Sequence, residues 1–207
     1  MAVDVRRHPY SFLGDARGEG WLREGTWHEG LVDYCGGSEA GAAQACRGIA
    51  AQGRKAGIDF RFDVHTNWHP VESQRLLLWA ARQGRGEEFM AALAPWHFEE
   101  ARSASRRETL LEAAACAGLD AAAAASFLDT GELEGDVWES YGATVRERGI
   151  RSIPLFVFHP PGEEPGEEEG RLAGLRETPY VHHGSGSAEE FLGIFERIYA
   201  DHRSRRG

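Results

Sequence analysis

Apolar and polar positions alternate first over Val3-Asp4-Val5-Arg6-Arg7, the period of a short strand, and His8-Pro9 ends it. Residues 14–30 are rich in glycine and charge and read as a long surface loop carrying Trp21 and Trp27. The period then lengthens to that of helices, and six helical stretches follow. The first runs from Ser38, a residue suited to N-capping, to Gly57, a residue suited to the stop; its inward face is Ala42, Cys46, Ile49 and Gly53. The next two run from Val71 to Gln83 and from Glu87 to Phe98. Ser105-Arg106-Arg107-Glu108 has the form of a capping box opening a fourth, which Gly118 closes. Asp120 caps a short alanine-rich fifth ending near Leu128, and Glu132–Arg148 carries Val137, Trp138, Tyr141 and Val145 on one stripe.

The pattern changes again at Ile153-Pro154, where a β-branched residue meets a proline and an apolar run of strand length, Leu155-Phe156-Val157-Phe158, begins. Proline donates no backbone hydrogen bond, so it fits the first residue of a strand. An acidic loop over 160–170, a strand over 178–183 and a final helix follow. Ser187-Ala188-Glu189-Glu190 has the form of that helix's capping box, with Phe191, Ile194, Phe195 and Ile198 facing inward. The order is strand, helical block, then strand, strand and helix, and no internal repeat is visible.

Composition narrows what such a chain does. A length of 207 residues with 42% hydrophobic and 10% aromatic residues suits one well-buried domain. The formal net charge of −10 argues against a nucleic-acid partner, which needs a basic face. No stretch reaches the ~18 consecutive apolar residues of a membrane helix, and Met1–Pro9 is charged, without an apolar signal core. No membrane association is expected, and a cytoplasmic location follows by default. Cys35, Cys46 and Cys116 are three in number, with no Cys-x-x-Cys spacing. Cys46 and Cys116 fall in alanine-rich helices and read as small buried hydrophobes. Cys35 precedes Gly36-Gly37 just ahead of a helix, where a thiol pKa can fall, although a plain structural thiol is the better reading.

Other candidate chemistry is weaker. His65 and His69 stand at i, i+4, but Pro70 disfavours helix there, so loop polar residues are expected rather than a metal pair. His182 and His183 are neighbours in a strand and point to opposite faces. The glutamates at 163, 164 and 167–169 lack calcium-loop spacing. Gly184-Ser185-Gly186-Ser187 leads into a helix N-terminus, a place for an anion or simply a capped turn. No metal and no cofactor is expected, and no serine nucleophile elbow or paired-carboxylate signature is present.

Taken in order, these pieces resemble the DsbA-like thioredoxin family, in particular its FrnE-type branch of cytosolic disulfide oxidoreductases. Val3–Phe12 is similar to the family's second strand and its Trp-Arg-Pro-Phe segment. Tyr34-Cys35-Gly36-Gly37 resembles a Lys-Tyr-Gly turn ahead of a helix, and Ser73-Gln74-Arg75-Leu76 an Ala-His-Arg-Leu segment. Leu110–Asp120 resembles Leu-x-x-x-Ala-x-x-x-Gly-Leu-Asp, and Ile153-Pro154-Leu155-Phe156-Val157 the Val-Pro-x-Phe-Val join. Gly184–Leu192 stands where the family has Gly-Ala-Gln-x-x-Glu-x-Phe-Leu.

The resemblance implies an α/β, thioredoxin-like fold with an inserted all-helical subdomain. It forms a single domain over 1–207, with 3–30 and 150–203 as the thioredoxin-like part and 38–148 as the helical insertion. It implies a cis Ile153–Pro154 bond, with Ser152, Ile153 and Pro154 forming a substrate-facing loop and Gly184 and Ser185 lining the nearby helix end. The implied partners are protein or peptide thiols and disulfides, or glutathione. In the family, catalysis uses Cys-x-x-Cys at the N-terminus of the first helix, where the dipole stabilises the attacking thiolate. None of the three cysteines here matches that position, so no catalytic residue is assigned and the chain as written is expected to be inactive in exchange. The family's strand and helix that carry the motif are expected to lie in a longer version of the protein, the alternative being a catalytically silent, peptide-binding relative. A rival alignment sets His8-Pro9-Tyr10-Ser11-Phe12-Leu13 against the Ser-Pro-Tyr-Ser-Tyr-Leu helix start of the 2-hydroxychromene-2-carboxylate isomerase and kappa glutathione transferase group. There the leading serine activates glutathione, and here that position is His8.

Overall fold

The computed structural model describes residues 3–11, 14–15, 24–67, 69–143, 150, 153–160 and 180–204, and the chain divides into two units. The first takes in Met1–Pro9 and Asp15–Glu139, the second Tyr10–Gly14 and Ser140–Gly207.

The first unit begins, among the described residues, with structure where the composition suggested a loop. β1 (Glu24–Thr26) passes directly into α1 (Trp27–Tyr34). Thr26 and Glu29 form a capping box: Glu29 N–H donates to Thr26 Oγ1 at 3.2 Å, and Thr26 N–H donates to the Glu29 carboxylate at 2.7 Å. The ring of Trp27 packs on Phe60, Phe62 and Phe98, with centroids 4.9–5.7 Å apart. Density of glycine and charge is thus a poor guide here, because one box and one aromatic anchor outweigh it. Residues 16–23, with Trp21, lie outside the described residues.

α2 (Glu39–Lys55) follows from its Ser38 cap, and Gly57 takes a positive φ at its end. β2 (His65–Asn67) pairs antiparallel with β1, Gly25 opposite Thr66. Then come α3 (Val71–Arg82), α4 (Gly86–Phe98), α5 (Arg107–Cys116) and α6 (Ala121–Leu128). Asp120 caps α6 by accepting from the N–H groups of Ala122 and Ala123 at 2.8 and 3.0 Å. The expected box at Ser105 is not used: α5 starts two residues later, and the Ser105 hydroxyl accepts from the Asn67 N–H at 2.7 Å, tying the entry of α5 to β2.

The core of this unit is Leu76, Leu77, Phe89, Leu93, Leu110 and Phe127 with the alanines between them. Each large side chain so buried contributes about 1.5–3 kcal/mol. Arg75 is buried among them with its side chain 2% exposed. Its guanidinium donates to the carbonyls of Glu132, Thr130 and Phe127, and to the Glu72 carboxylate at 2.8 and 2.9 Å. Two of those carbonyls belong to the end of α6 and the turn after it, so the cation satisfies orphaned acceptors where the helix dipole is negative. α7 (Glu134–Gly142) crosses the division between the units. It starts two residues later than the pattern suggested, and 144–149 lie outside the described residues.

Val3–Arg7 is not a strand. Val3 and Val5 are 55% and 51% exposed, and the segment is held instead by a two-pronged bond from Arg7 to Glu87 at 2.6 and 2.9 Å. Alternation makes a strand possible, but pairing makes it one, and no described strand lies against these residues.

In the second unit, β3 (Leu155–Val157) and β4 (Val181–His183) form an antiparallel pair with Phe156 opposite His182. α8 (Ala188–Ser204) covers the face bearing Phe156, Phe158, Tyr180 and His182. Phe191 and Phe195 meet the phenylalanine rings edge to face, and Tyr180, Ile194 and Ile198 are the buried centre. The Tyr180 hydroxyl donates to the Asp201 carboxylate, locking sheet to helix. The period of two in the strands and of 3.6 in the helix therefore meet on one apolar seam.

Candidate functional site

The residues that the resemblance points to fall in the second unit. The Ile153–Pro154 bond is cis. Pro154 cannot donate to the ladder, but its carbonyl accepts from the Gly184 N–H at 2.8 Å. This bond extends the β3–β4 pairing to the corner where both strands reach the N-terminal side of α8. At the far end the Phe158 N–H donates to Tyr180 O at 3.0 Å. Gly184 has φ +86, in the left-handed region that β-carbon-bearing residues avoid, and it turns the chain from β4 toward α8. Ile153 is 48% exposed, outside the ladder, and Ser185 is exposed beyond the turn. Structure thus brings Ile153, Pro154, Gly184 and Ser185 to one corner; Ser152 lies outside the described residues. Tyr10, from the Val3–Phe12 segment, donates its hydroxyl to Ile150 O at 3.2 Å, just upstream of this loop.

The N-terminus of α8 is already supplied with an anion. Ser187 N–H donates to the Glu190 carboxylate at 2.6 Å, and Glu190 N–H donates to Ser187 Oγ at 3.2 Å. These bonds to the Ser187 backbone and hydroxyl hold the Glu190 carboxyl below the usual carboxylate range. Of the two readings of Gly184–Ser187, the capped turn is the one formed.

His182 belongs to this corner and was missed as a candidate, having been weighed only for metal binding. Its ring lies against Phe191 at 5.2 Å, and its buried Nε2 has no hydrogen-bond partner among the described residues. A β-carbon on Gly186 would stand 2.8 Å from that nitrogen, so only glycine lets the turn pass so close. The readable signal was its position, two residues before Gly184 on the strand face that a helix covers. His183 is exposed on the other face, as adjacent strand residues must be.

Elsewhere, His65 is exposed on β2 and His69 is buried with its ring on Trp138, so the i, i+4 spacing brings no metal pair together. Cys116 is exposed at the end of α5, not buried as its alanine-rich surroundings suggested. Cys35 is the C-cap of α1, its N–H bonded to Leu31 O, so it stands at the end of a helix and not at the start of one. Cys46 is half-buried in α2. All three cysteines are in the first unit, and the second contains none. Residues 8–11 form no helix, contrary to the rival alignment that starts one at His8. No described helix is long and apolar enough to cross a membrane.

Compared with known proteins, residues 2–173 match the family model of the DSBA-like thioredoxin domain. Among solved structures, the chain is similar to a probable DsbA oxidoreductase from Streptomyces coelicolor, with a TM-score of 0.67 and 22% identity over 90% of this chain and 73% of that one. No curated protein matches the chain. The fold is therefore α/β and thioredoxin-like, with a helical insertion and few strands. With residues 2–173 inside that family model, the chain belongs to the DSBA-like thioredoxin domain family.

Proposed function

We propose that this chain is a protein-disulfide-oxidoreductase-type member of its family, nearest in motif order to the FrnE branch, that holds an extended peptide or small thiol at the Pro154–Gly184 corner. The observation that carries this reading is the 2.8 Å bond from the Gly184 N–H to Pro154 O. It fixes the loop rigidly against the turn while Ile153 stays exposed and outside the ladder, ready to meet a substrate backbone in extended form. The Glu190 carboxylate beside the turn disfavours a substrate's own carboxylate, so a peptide backbone fits this corner better than an anionic group.

Exchange needs a thiolate beside a second thiol that resolves the mixed disulfide. Cys35, Cys46 and Cys116 have no Cys-x-x-Cys spacing, and none lies in the unit that forms the corner. By themselves these 207 residues bind without turning over protein disulfides. Dithiothreitol-coupled insulin reduction tests this: the expected trace follows the uncatalysed reaction. Turnover at the rate of an authentic DsbA protein would sink the reading.

A further inference from the structure

α1 and α2 bring together three side chains that the corner in the other unit does not use. His28 is the second residue of α1, Glu39 opens α2, and Cys46 lies midway along it. Cys46 Sγ is 3.7 Å from His28 Nδ1, and His28 Nε2 is 3.0 Å from Glu39 Oε2. A carboxylate only accepts, so Nε2 carries the hydrogen and Nδ1 of the neutral ring is left to accept from the thiol. The order nucleophile, base and orienting carboxylate is the one that activates a thiol. His28 is 39% exposed and Cys46 half-buried, which leaves the pair open to a small solute.

Burial pushes the Cys46 thiol up, and Cys35 nearby adds to the rise. Cys46 is therefore a thiol at neutral pH, and its reactivity depends on a base in contact with it.

We propose that Cys46 is a modification site at which small disulfides form a mixed disulfide, with His28 as general base and Glu39 as a positioning residue. In the step, the Cys46 S–H bond breaks and its proton passes to His28 Nδ1. The sulfur's electron pair forms a new S–S bond to one sulfur of the incoming disulfide. The old S–S bond breaks, and its second sulfur leaves as a thiolate that collects the proton from His28. Cys46 is oxidised, the leaving sulfur is reduced, and the small disulfide is the oxidant.

The test uses the full chain and oxidised glutathione, with acid quenching and peptide mass mapping of adducts at Cys46 and Cys116. Cys116 is the internal reference, being exposed at the end of α5. Cys46 is expected to take the adduct about a hundredfold faster than Cys116, the low end of what a positioned base supplies. His28→Gln is expected to remove that advantage while the Cys116 rate stays unchanged. Glu39→Gln is expected to slow Cys46 about tenfold, with Glu39→Asp near the original rate, since a carboxylate still orients the ring. The wild-type comparison needs no variant, so a folding defect cannot excuse it. A Cys46 rate no higher than that of Cys116, or one unmoved by His28→Gln, would overturn the proposal; equal slowing in both Glu39 variants would remove Glu39 from it.

Discussion

Among the described residues, the helices of the first unit share one cluster of fourteen buried apolar residues around a guanidinium that is itself fully bonded, whereas the cluster under α8 in the second unit has three at its centre, beneath one helix laid on two short strands. The first is built to hold its shape. The second is built mostly of half-exposed rings and a turn, and Ile153 and Ser185, two of the residues proposed to face a substrate, stand outside the ladder. Local opening is cheapest where few apolar contacts are made, and binding loops are drawn from that end of the range. The difference puts the proposed peptide corner in the unit with the smaller apolar cluster, where the Pro154–Gly184 bond fixes the loop locally.

The comparison breaks first at Arg75. Replacing it with Ala leaves the carbonyls of Glu132, Thr130 and Phe127 without their donor in a buried place. The expected cost is about 3 kcal/mol of unfolding free energy in urea titration. A cost near zero would mean that the cation is incidental to the helical core. Ile198→Ala comes next, with an expected loss of about 2 kcal/mol, at the low end for a buried isoleucine because the cluster around it is small. Hydrogen exchange should show that loss confined to β3, β4 and α8, with the amides of α3–α5 unchanged. Equal acceleration in both units would erase the distinction drawn between them.

The smallest effect is on the entry of α8. The bonds from Ser187 depress the Glu190 carboxyl, so its contribution is fully present above its unfolded value of 4.5. That contribution is lost as pH falls through the lower folded value. Amide protection in the first turn of α8 should therefore decline from about pH 5 downward in the wild type, by this linkage, and stay flat in Glu190→Gln. A parallel decline in both would assign the effect to another group.

Helix ends were the most legible part of the molecule. Ser38, Asp120 and Ser187 cap where their spacing to an apolar stripe says they should, and Gly57 and Gly118 stop helices with positive φ. These signals are local, so no partner is needed to read them. Thr26 and Glu29 carry the same signal but stand in a glycine-rich, charged stretch that hid it. Val3–Arg7 failed for the opposite reason: its alternation is local, but a strand is a property of two segments. Of the corner, the resemblance located Pro154 and Gly184, yet their bond spans thirty residues and exists only in the fold. The His28–Cys46 contact was hidden further, because it needs α1, which the pattern reads as loop.

The most direct test of the corner is amide chemical-shift mapping with an extended, thiol-bearing peptide added to the isotope-labelled chain. Shifts concentrated at Ile153, Gly184 and Ser185, with the amides of α3–α6 unmoved, are the result expected if the Pro154 loop holds the substrate backbone. A saturating peptide that leaves those three amides in place, or that shifts another surface instead, would contradict the account.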